Sequence, residues 1–224
     1  NVPVTGKVFG STEIEAAVNA SLDFWLTSGP YTEKFESRFA KTVGMRHAFM
    51  VNSGSSANLL ALELLADQVS KQEGLKKGNL YVAVPAILWP TSIWPIIQAG
   101  FKALIIDTQP NSLEIDFEVL IEAKKEMGTQ LVGVVLIHPL GKALDLSKVK
   151  ELKEHYGLFV VEDNCESLGA GNNNKFAGSI GQAASFSFYY SHHITTVEGG
   201  MVVTNSEESA NALLSMRAHG WTRN

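Results

Sequence analysis

The sequence has little cysteine, no long apolar run and no excess of positive charge. Cys165 is the only cysteine in 224 residues, so no internal disulfide can form, which fits a cytoplasmic protein. No segment approaches the roughly 20 apolar residues that span a bilayer, so we expect no membrane association. The sequence has 18 Lys and Arg and 23 Asp and Glu, which gives a formal charge of −5. Without clustered cations to contact phosphates, nucleic acid is not an expected partner.

The rest of the composition is that of an ordinary globular chain, with a regular alternation of strand and helix patterns. Apolar, β-branched runs predict strands at 48–51, 80–84, 103–106, 131–137, 158–161 and 185–190. Helical patterns lie at 12–26, 32–43, 91–98, 115–127 and 146–155, and another follows Ala57. Short strands separated by helices are typical of a mostly parallel sheet buried on both faces. We therefore predict a three-layer α/β/α domain with its ligands beyond the carboxyl ends of the strands.

Small polar residues occupy the first strand-to-helix loop, Ser53-Gly54-Ser55-Ser56-Ala57. A helix N-terminus offers unpaired N–H groups and the positive end of a dipole, and small side chains let a phosphate approach them. A plain helix cap explains the serines as well, and the Gly-Lys-Ser/Thr ending of a P-loop is missing. The loop is therefore either a phosphate site or a cap.

Two later strand ends carry other candidate residues. Trp89 follows the second strand, where its indole either caps the core or presents a flat face to a planar ligand. Asp163 and Glu166 follow the apolar strand at 158–161. A carboxylate at a buried strand end is costly unless a cation pairs with it. A protonated ring nitrogen, an arginine or a lysine would each supply that cation.

The stretch 183–200 brings two adjacent histidines, His192 and His193, after a strand pattern. Ser187, within that strand, is a further hydroxyl for a phosphate site. In isolation the stretch is equally typical of a strand-loop-strand hairpin with surface histidines.

Taken in chain order, these loops resemble those of the fold type I pyridoxal-phosphate enzymes, the aspartate aminotransferase type. Within that type they are similar to the DegT/DnrJ/StrS family of sugar-nucleotide enzymes. The similarity extends from Leu26-Thr27-Ser28-Gly29-Pro30 and Phe35-Glu36 to Arg217-Ala218-His219-Gly220. The resemblance implies that residues 1–224 form an N-terminal segment and a large cofactor-binding domain, and that a smaller C-terminal domain is missing from this chain. It also implies a homodimer with active sites at the subunit interface.

The same resemblance assigns a role to each loop residue. The phosphate of pyridoxal 5′-phosphate, or of its pyridoxamine form, would be held by Gly54, Ser55, Ser56 and Ser187. Trp89 would stack on the pyridine ring. Asp163 would pair with the ring nitrogen and keep it protonated, so that the ring acts as an electron sink. Glu166 stands where many family members carry a glutamine near the ring hydroxyl.

One departure from the family pattern decides the expected reaction. The aminotransferases read approximately Lys-x-x-x-x-Gly-Glu-Gly-Gly, and that lysine forms a Schiff base with the cofactor. Six residues before Glu198 this chain has His192, and the nearest lysine, Lys175, lies seventeen residues earlier. An imidazole cannot form the Schiff base. With an ordinary pKa of about 6.5, its neutral form can act as a base near pH 7.

Histidine in the sequence Ser191-His192-His193 resembles the sugar-nucleotide 3-dehydratases of the family. That resemblance implies that pyridoxamine phosphate condenses with a 4-keto-6-deoxy sugar nucleotide, that His192 removes a proton from the cofactor's C4′ carbon, and that the C3 hydroxyl leaves. Glutamate would restore the pyridoxamine form, and the product would serve lipopolysaccharide such as O-antigen. Ser191 and His219 are candidate substrate contacts, His193 is taken as a structural neighbour, and no metal is expected.

The cysteine count separates two dehydratase branches. The branch that acts on CDP-linked sugars uses an iron-sulfur cluster, held by cysteines shortly after the counterpart of His219-Gly220. Here Trp221-Thr222-Arg223-Asn224 contains none. The GDP-linked branch is therefore favoured. The alternatives are the CDP-linked enzyme, a sugar aminotransferase that tolerates histidine, and a catalytically inactive cofactor-binding fragment.

Overall fold

A computed structural model describes residues 2–3, 5–172 and 175–221. The α-helices among these residues are Ser11–Leu22 (α1), Pro30–Thr42 (α2), Gly54–Ser70 (α3), Pro90–Gln98 (α4), Phe117–Met127 (α5), Leu146–Glu154 (α6) and Glu207–Arg217 (α7). The strands are His47–Val51 (β1), Tyr81–Pro85 (β2), Lys102–Ile106 (β3), Leu131–Ile137 (β4), Phe159–Asp163 (β5), Gly171–Asn172 (β6), Lys175–Phe176 (β7), Ala183–Ser187 (β8) and Gly200–Thr204 (β9). None of these described helices has the length and apolar character required to cross a bilayer.

One seven-stranded sheet forms the centre of the domain, in the order β1-β9-β8-β5-β4-β2-β3. The strands from β8 to β3 in this order are parallel, and β9 runs antiparallel to both β8 and β1. The predicted three-layer α/β/α fold with a mostly parallel sheet is confirmed. Because the parallel strands end at one edge, the loops after them converge there.

Alternate side chains of the central strands enter two different cores. Val135 and Val161 pack against the layer of α3, α4 and α7. Val134 and Val160 pack against α5 and α6 on the opposite face. This alternation, which is inherent in an extended strand, sends the consecutive carboxylates of Glu162 and Asp163 into opposite layers.

A third core lies between α2 and the end of the sheet formed by β1, β9 and β8. The ring of Phe39 meets those of Phe186 and Phe188 edge to face, at centroid distances of 5.0 and 5.3 Å. Such pairs stabilise beyond the burial of their area. They anchor β8 and the first residue of the loop that follows it.

The side chain of Glu162 forms a fully buried pair with His138 beneath that loop edge, with 2.9 Å between Oε2 and Nε2. His138 Nδ1 accepts the N–H of Leu144, so the imidazole proton sits on Nε2 and is donated to Glu162. Three backbone N–H groups of the loop 178–181 also donate to this carboxylate. Burial acts to raise the pKa of Glu162, but these donors outweigh it and hold the pKa below its ordinary value.

This depressed pKa predicts a loss of stability in acid. A carboxyl whose folded pKa is lowered contributes stability above its unfolded value, near 4.5, and loses that contribution as the pH falls through the folded value. We expect Glu162→Gln to lower the free energy of unfolding at pH 7 by about 3 kcal/mol, because the amide leaves buried donors unpaired. In the variant, the free energy of unfolding should also fall less steeply below pH 4.5. Urea denaturation at a series of pH values measures this. The exposed Glu118→Gln change is the control and should keep the parent's pH dependence; an unchanged slope in Glu162→Gln would contradict the assignment.

Candidate active site

A pocket of about 520 Å³ opens where the carboxyl ends of the parallel strands converge. It brings together most of the residues predicted from the sequence: Gly54, Ser55, Trp89, Asp163, Glu166, Ser187, Ser191 and His192. Residues separated by up to 138 positions therefore share one cavity. In the described part of the chain, its walls include no lysine, and Lys175 lies exposed on β7.

Ser56 and His219 are not among the residues that line this pocket. Ser56 lies in the first turn of α3, where its N–H donates to Ser53 Oγ and its hydroxyl accepts from the same atom. His219 is exposed beyond α7, with a left-handed φ of 59°. Their predicted roles in phosphate and substrate binding stay predictions.

The N-terminus of α3 presents two free backbone donors at the pocket. Ser53 caps the helix, since its hydroxyl accepts the N–H of Ser56 and its carbonyl that of Ala57. The N–H groups of Gly54 and Ser55 meet no acceptor among the described residues. Free N–H groups at the positive end of a 17-residue helix are suited to an anion.

Two glycines allow the backbone around this helix end to pack so closely. A Cβ on Gly54 would lie 2.7 Å from Cys165 Sγ and 2.8 Å from Ser187 Cβ. A Cβ on Gly200 would overlap the backbone carbonyl group of Ser53. The hydroxyl of Ser187 accepts the N–H of Tyr189 at 3.3 Å, which leaves its own proton for an acceptor in the pocket. A side chain at either glycine would therefore push apart the segments that carry this cradle of N–H and O–H donors.

Asp163, at the end of β5, is a buried residue with 6% of its surface exposed. Its Oδ2 accepts hydrogen bonds from Asn58 Nδ2 and Ser92 Oγ, both at 2.8 Å. Its Oδ1 accepts the N–H of Cys165 at 3.1 Å. All of these donors from the described residues are neutral, so the buried negative charge fits a cationic group on a ligand.

Glu166 lies on the same loop, and its Oε2 accepts the N–H of Leu140 at 3.1 Å. Leu140 has a left-handed φ of 48°, so the turn at 139–141 is held close to the pocket in an unfavourable conformation. The neighbouring thiol of Cys165 is not a nucleophile, because burial and the charge of Asp163 raise its pKa well above the ordinary value.

His192 lies half-buried in the loop between β8 and β9. Its backbone N–H donates to the carbonyl of Tyr189 at 2.9 Å, and the two rings are 6.3 Å apart. Burial lowers the pKa of the imidazole. The charge of Glu166 opposes this, His193 adds to it, and the net pKa lies below 6.5. The neutral imidazole, a proton acceptor, is therefore the main form at pH 7.

Sequence reasoning missed several residues of the pocket wall. Those with the clearest geometric role are Asn58, Ser92, Tyr189 and Glu198. Asn58 and Ser92 lie inside helices, where a polar residue is usually a solvated position. Their full burial is visible only once β5 and β8 are packed beneath them.

Val197 adopts a backbone conformation that its side chain disfavours, with a φ of 70°. It precedes Glu198-Gly199-Gly200, at the place where the family pattern has glycine. The left-handed region costs a residue with a Cβ roughly 1–2 kcal/mol, and a β-branched residue is the least suited to it. The loop that carries His192 is therefore strained near its end.

We expect Val197→Gly to raise the free energy of unfolding by about 1 kcal/mol, because glycine adopts this φ without a Cβ clash. Val197→Ala is the matched control, because it removes the branched side chain but keeps a Cβ. It should therefore raise the free energy of unfolding only slightly. Chemical denaturation of the three proteins measures the difference. Equal stabilisation by alanine and glycine would show that side-chain bulk, not φ, is the cause.

Substitution of Glu166 and substitution of His193 should move the pKa of His192 in opposite directions. Glu166→Gln removes a negative charge that raises the pKa, so the pKa should fall further below 6.5. His193→Gln removes a group that lowers it, so the pKa should rise. NMR titration of the histidine ring protons measures both, with the distant His155 as an internal control. A rise in Glu166→Gln would contradict this electrostatic account.

Several of the known proteins that this chain resembles are GDP-4-keto-6-deoxymannose 3-dehydratases. GDP-4-keto-6-deoxy-D-mannose 3-dehydratase of Escherichia coli O55:H7 is 40% identical over 224 residues, 100% of this chain and 56% of that protein. A solved GDP-4-keto-6-deoxymannose-3-dehydratase with a trapped PLP-glutamate geminal diamine has a TM-score of 0.88 at 39% identity. A histidine-to-asparagine mutant of an enzyme of that name, with bound GDP-perosamine, has a TM-score of 0.87 at 37% identity. Both structures are matched over 100% of this chain and 56% of theirs.

The chain thus spans about half the length of the curated relatives it matches. The model of the DegT/DnrJ/EryC1/StrS aminotransferase family matches residues 9–224, which is nearly the whole chain. The resemblance predicted from the order of the loops is confirmed, and this chain belongs to the DegT/DnrJ/EryC1/StrS aminotransferase family.

Proposed function

We propose that this protein is a pyridoxal/pyridoxamine 5′-phosphate-dependent 3-dehydratase. Its substrate is a 4-keto-6-deoxy sugar nucleotide, GDP-linked, and its pathway is deoxysugar synthesis for lipopolysaccharide such as O-antigen. One observation carries the proposal: His192 lines a pocket with a phosphate cradle and a buried carboxylate, and no lysine of the described residues lines it.

The donor set of the pocket fits the proposed cofactor at both of its ends. The free N–H groups of Gly54 and Ser55, with the hydroxyl of Ser187, suit a phosphate dianion. Elsewhere in the same pocket, Asp163 has neutral partners and suits a protonated ring nitrogen. Trp89, 71% exposed, offers an indole face to a planar ring. When bound, the cofactor supplies an electron sink.

His192 is the proposed base. Its half-buried imidazole is mainly neutral at pH 7, so a ring nitrogen is free to take a proton from the reacting centre and return it. A histidine cannot attach to the cofactor as the family's lysine does. Retention then depends on the phosphate cradle, Trp89 and Asp163 without a covalent link.

The relatives support the choice of substrate and co-substrate. The matched enzymes are named for a GDP-linked 4-keto-6-deoxy sugar, and one solved relative holds GDP-perosamine. Another holds an adduct of PLP with glutamate, which supports glutamate as amino donor here. Ser191, which lines the pocket beside His192, and His219 are the proposed substrate contacts. Four further expectations also stay predictions: a homodimer, a cytoplasmic location, no bound metal, and a smaller C-terminal domain that is missing from this chain.

The direct test is turnover of GDP-4-keto-6-deoxymannose with pyridoxal phosphate and glutamate, followed by mass spectrometry. We expect loss of the C3 hydroxyl, and a decrease in rate of about 10²–10⁴-fold in His192→Asn, the usual contribution of a general base. His193→Asn is the matched control and should stay active. Borohydride treatment of the protein with pyridoxal phosphate should leave no cofactor attached to the chain.

Three outcomes would contradict parts of this proposal. A product that keeps its C3 hydroxyl and gains an amine would indicate an aminotransferase. Undiminished turnover in His192→Asn would remove the role of that residue. Cofactor binding without any turnover in the parent would favour a binding protein.

A further inference from the structure

Two buried side chains converge on a single oxygen of Asp163. Asn58 Nδ2 and Ser92 Oγ each donate to Oδ2 at 2.8 Å, and both residues are only 1% exposed. Hydrogen bonds to an ionised group in a buried site are stronger than neutral ones. Removing either donor therefore weakens the restraint on the direction of this carboxylate.

The amide of Asn58 is itself held in one orientation. The hydroxyl of Ser185 donates to Asn58 Oδ1 at 2.6 Å, so the NH₂ group is the one directed at Asp163. Nδ2 also lies 3.4 Å from the carbonyl of Thr91. Donors and acceptors in this network are matched, which fixes the geometry at the end of β5.

The two donors come from the helices that carry the other proposed cofactor contacts. Asn58 lies one turn along α3 from Gly54 in the phosphate cradle. Ser92 lies in the first turn of α4, three residues after the N-cap residue Trp89. Each helix therefore reaches the proposed cofactor at one point and Asp163 at another.

We propose that Asn58 and Ser92 are positioning residues that act through Asp163 and set the preference of the pocket for a cationic ring nitrogen. This inference rests on the proposed function, in which Asp163 pairs with that nitrogen. The two donors hold the carboxylate in one orientation. Without one of them, the carboxylate rotates and attracts the ring cation less.

The test is a ratio of two dissociation constants, measured by titrating the protein with each ligand. One ligand is pyridoxal phosphate, and the other is its analogue with a C–H group in place of the ring nitrogen. The parent should bind pyridoxal phosphate more tightly. Ser92→Ala should reduce this preference about tenfold, the usual effect of one hydrogen bond to a charged group. Asn58→Ala should do the same, and Ser185→Ala should reduce the preference less.

The controls separate positioning from general damage. Ser209→Ala removes another buried serine hydroxyl, in α7, and should leave the ratio unchanged. Ser92→Thr keeps a hydroxyl and should retain most of the preference. The comparison of Ser92→Ala with Ser92→Thr therefore tests the inference even if Asn58→Ala fails to fold. Equal weakening of both ligands in Ser92→Ala, with the ratio preserved, would overturn the inference and leave the proposed function intact. No preference in the parent would overturn both, because Asp163 would then not contact the ring nitrogen.

Discussion

The last two residues of β5, Glu162 and Asp163, place buried carboxylates on opposite faces of the sheet. The hydrogen-bond partners of each carboxylate organise the rest of the domain. The carboxylate of Glu162 accepts hydrogen bonds from His138 and from N–H groups of the loop 178–181. Asp163, one residue later and on the other face, accepts three neutral donors and lines the pocket, whereas Glu162 does not. The first carboxylate stabilises the fold beneath the site. The second leaves an electrostatic position that a ligand cation can occupy.

The edge of the sheet that carries the pocket therefore combines a rigid base with an open upper surface. The buried pair ties the turn after β4 to the segment before β8, so the strand ends cannot separate easily. Above it, the loops present backbone donors, an exposed indole and a half-buried imidazole. A cofactor that is not covalently attached needs such a rigid frame, because any loosening of the frame reduces its affinity directly.

The sequence predicted the layers well because strand and helix periodicities are local properties. The strand 131–137 coincides with β4, whose residues are apolar throughout. The strand predicted at 158–161 ends too early, since Glu162 and Asp163 look like loop residues until their distant partners are known. The strand predicted at 185–190 is shifted from β8, because the alternation of serine and phenylalanine continues past Ser187 although the sheet pairing does not. The site residues followed from the order of family motifs. Asn58 and Ser92 did not, because their burial depends on contacts across 105 and 71 positions.

The loop between β8 and β9 is closed at its base by the backbone itself. Phe188 donates its N–H to Gly199 and accepts that of Thr196, both at 2.9 Å, and its buried ring fixes the same point in the aromatic core. The loop 189–198 is therefore fixed at both ends by the sheet and the aromatic core. His192 lies on the span between these two fixed ends. A change of side chain at that position can therefore leave the pairing of β8 with β9 intact.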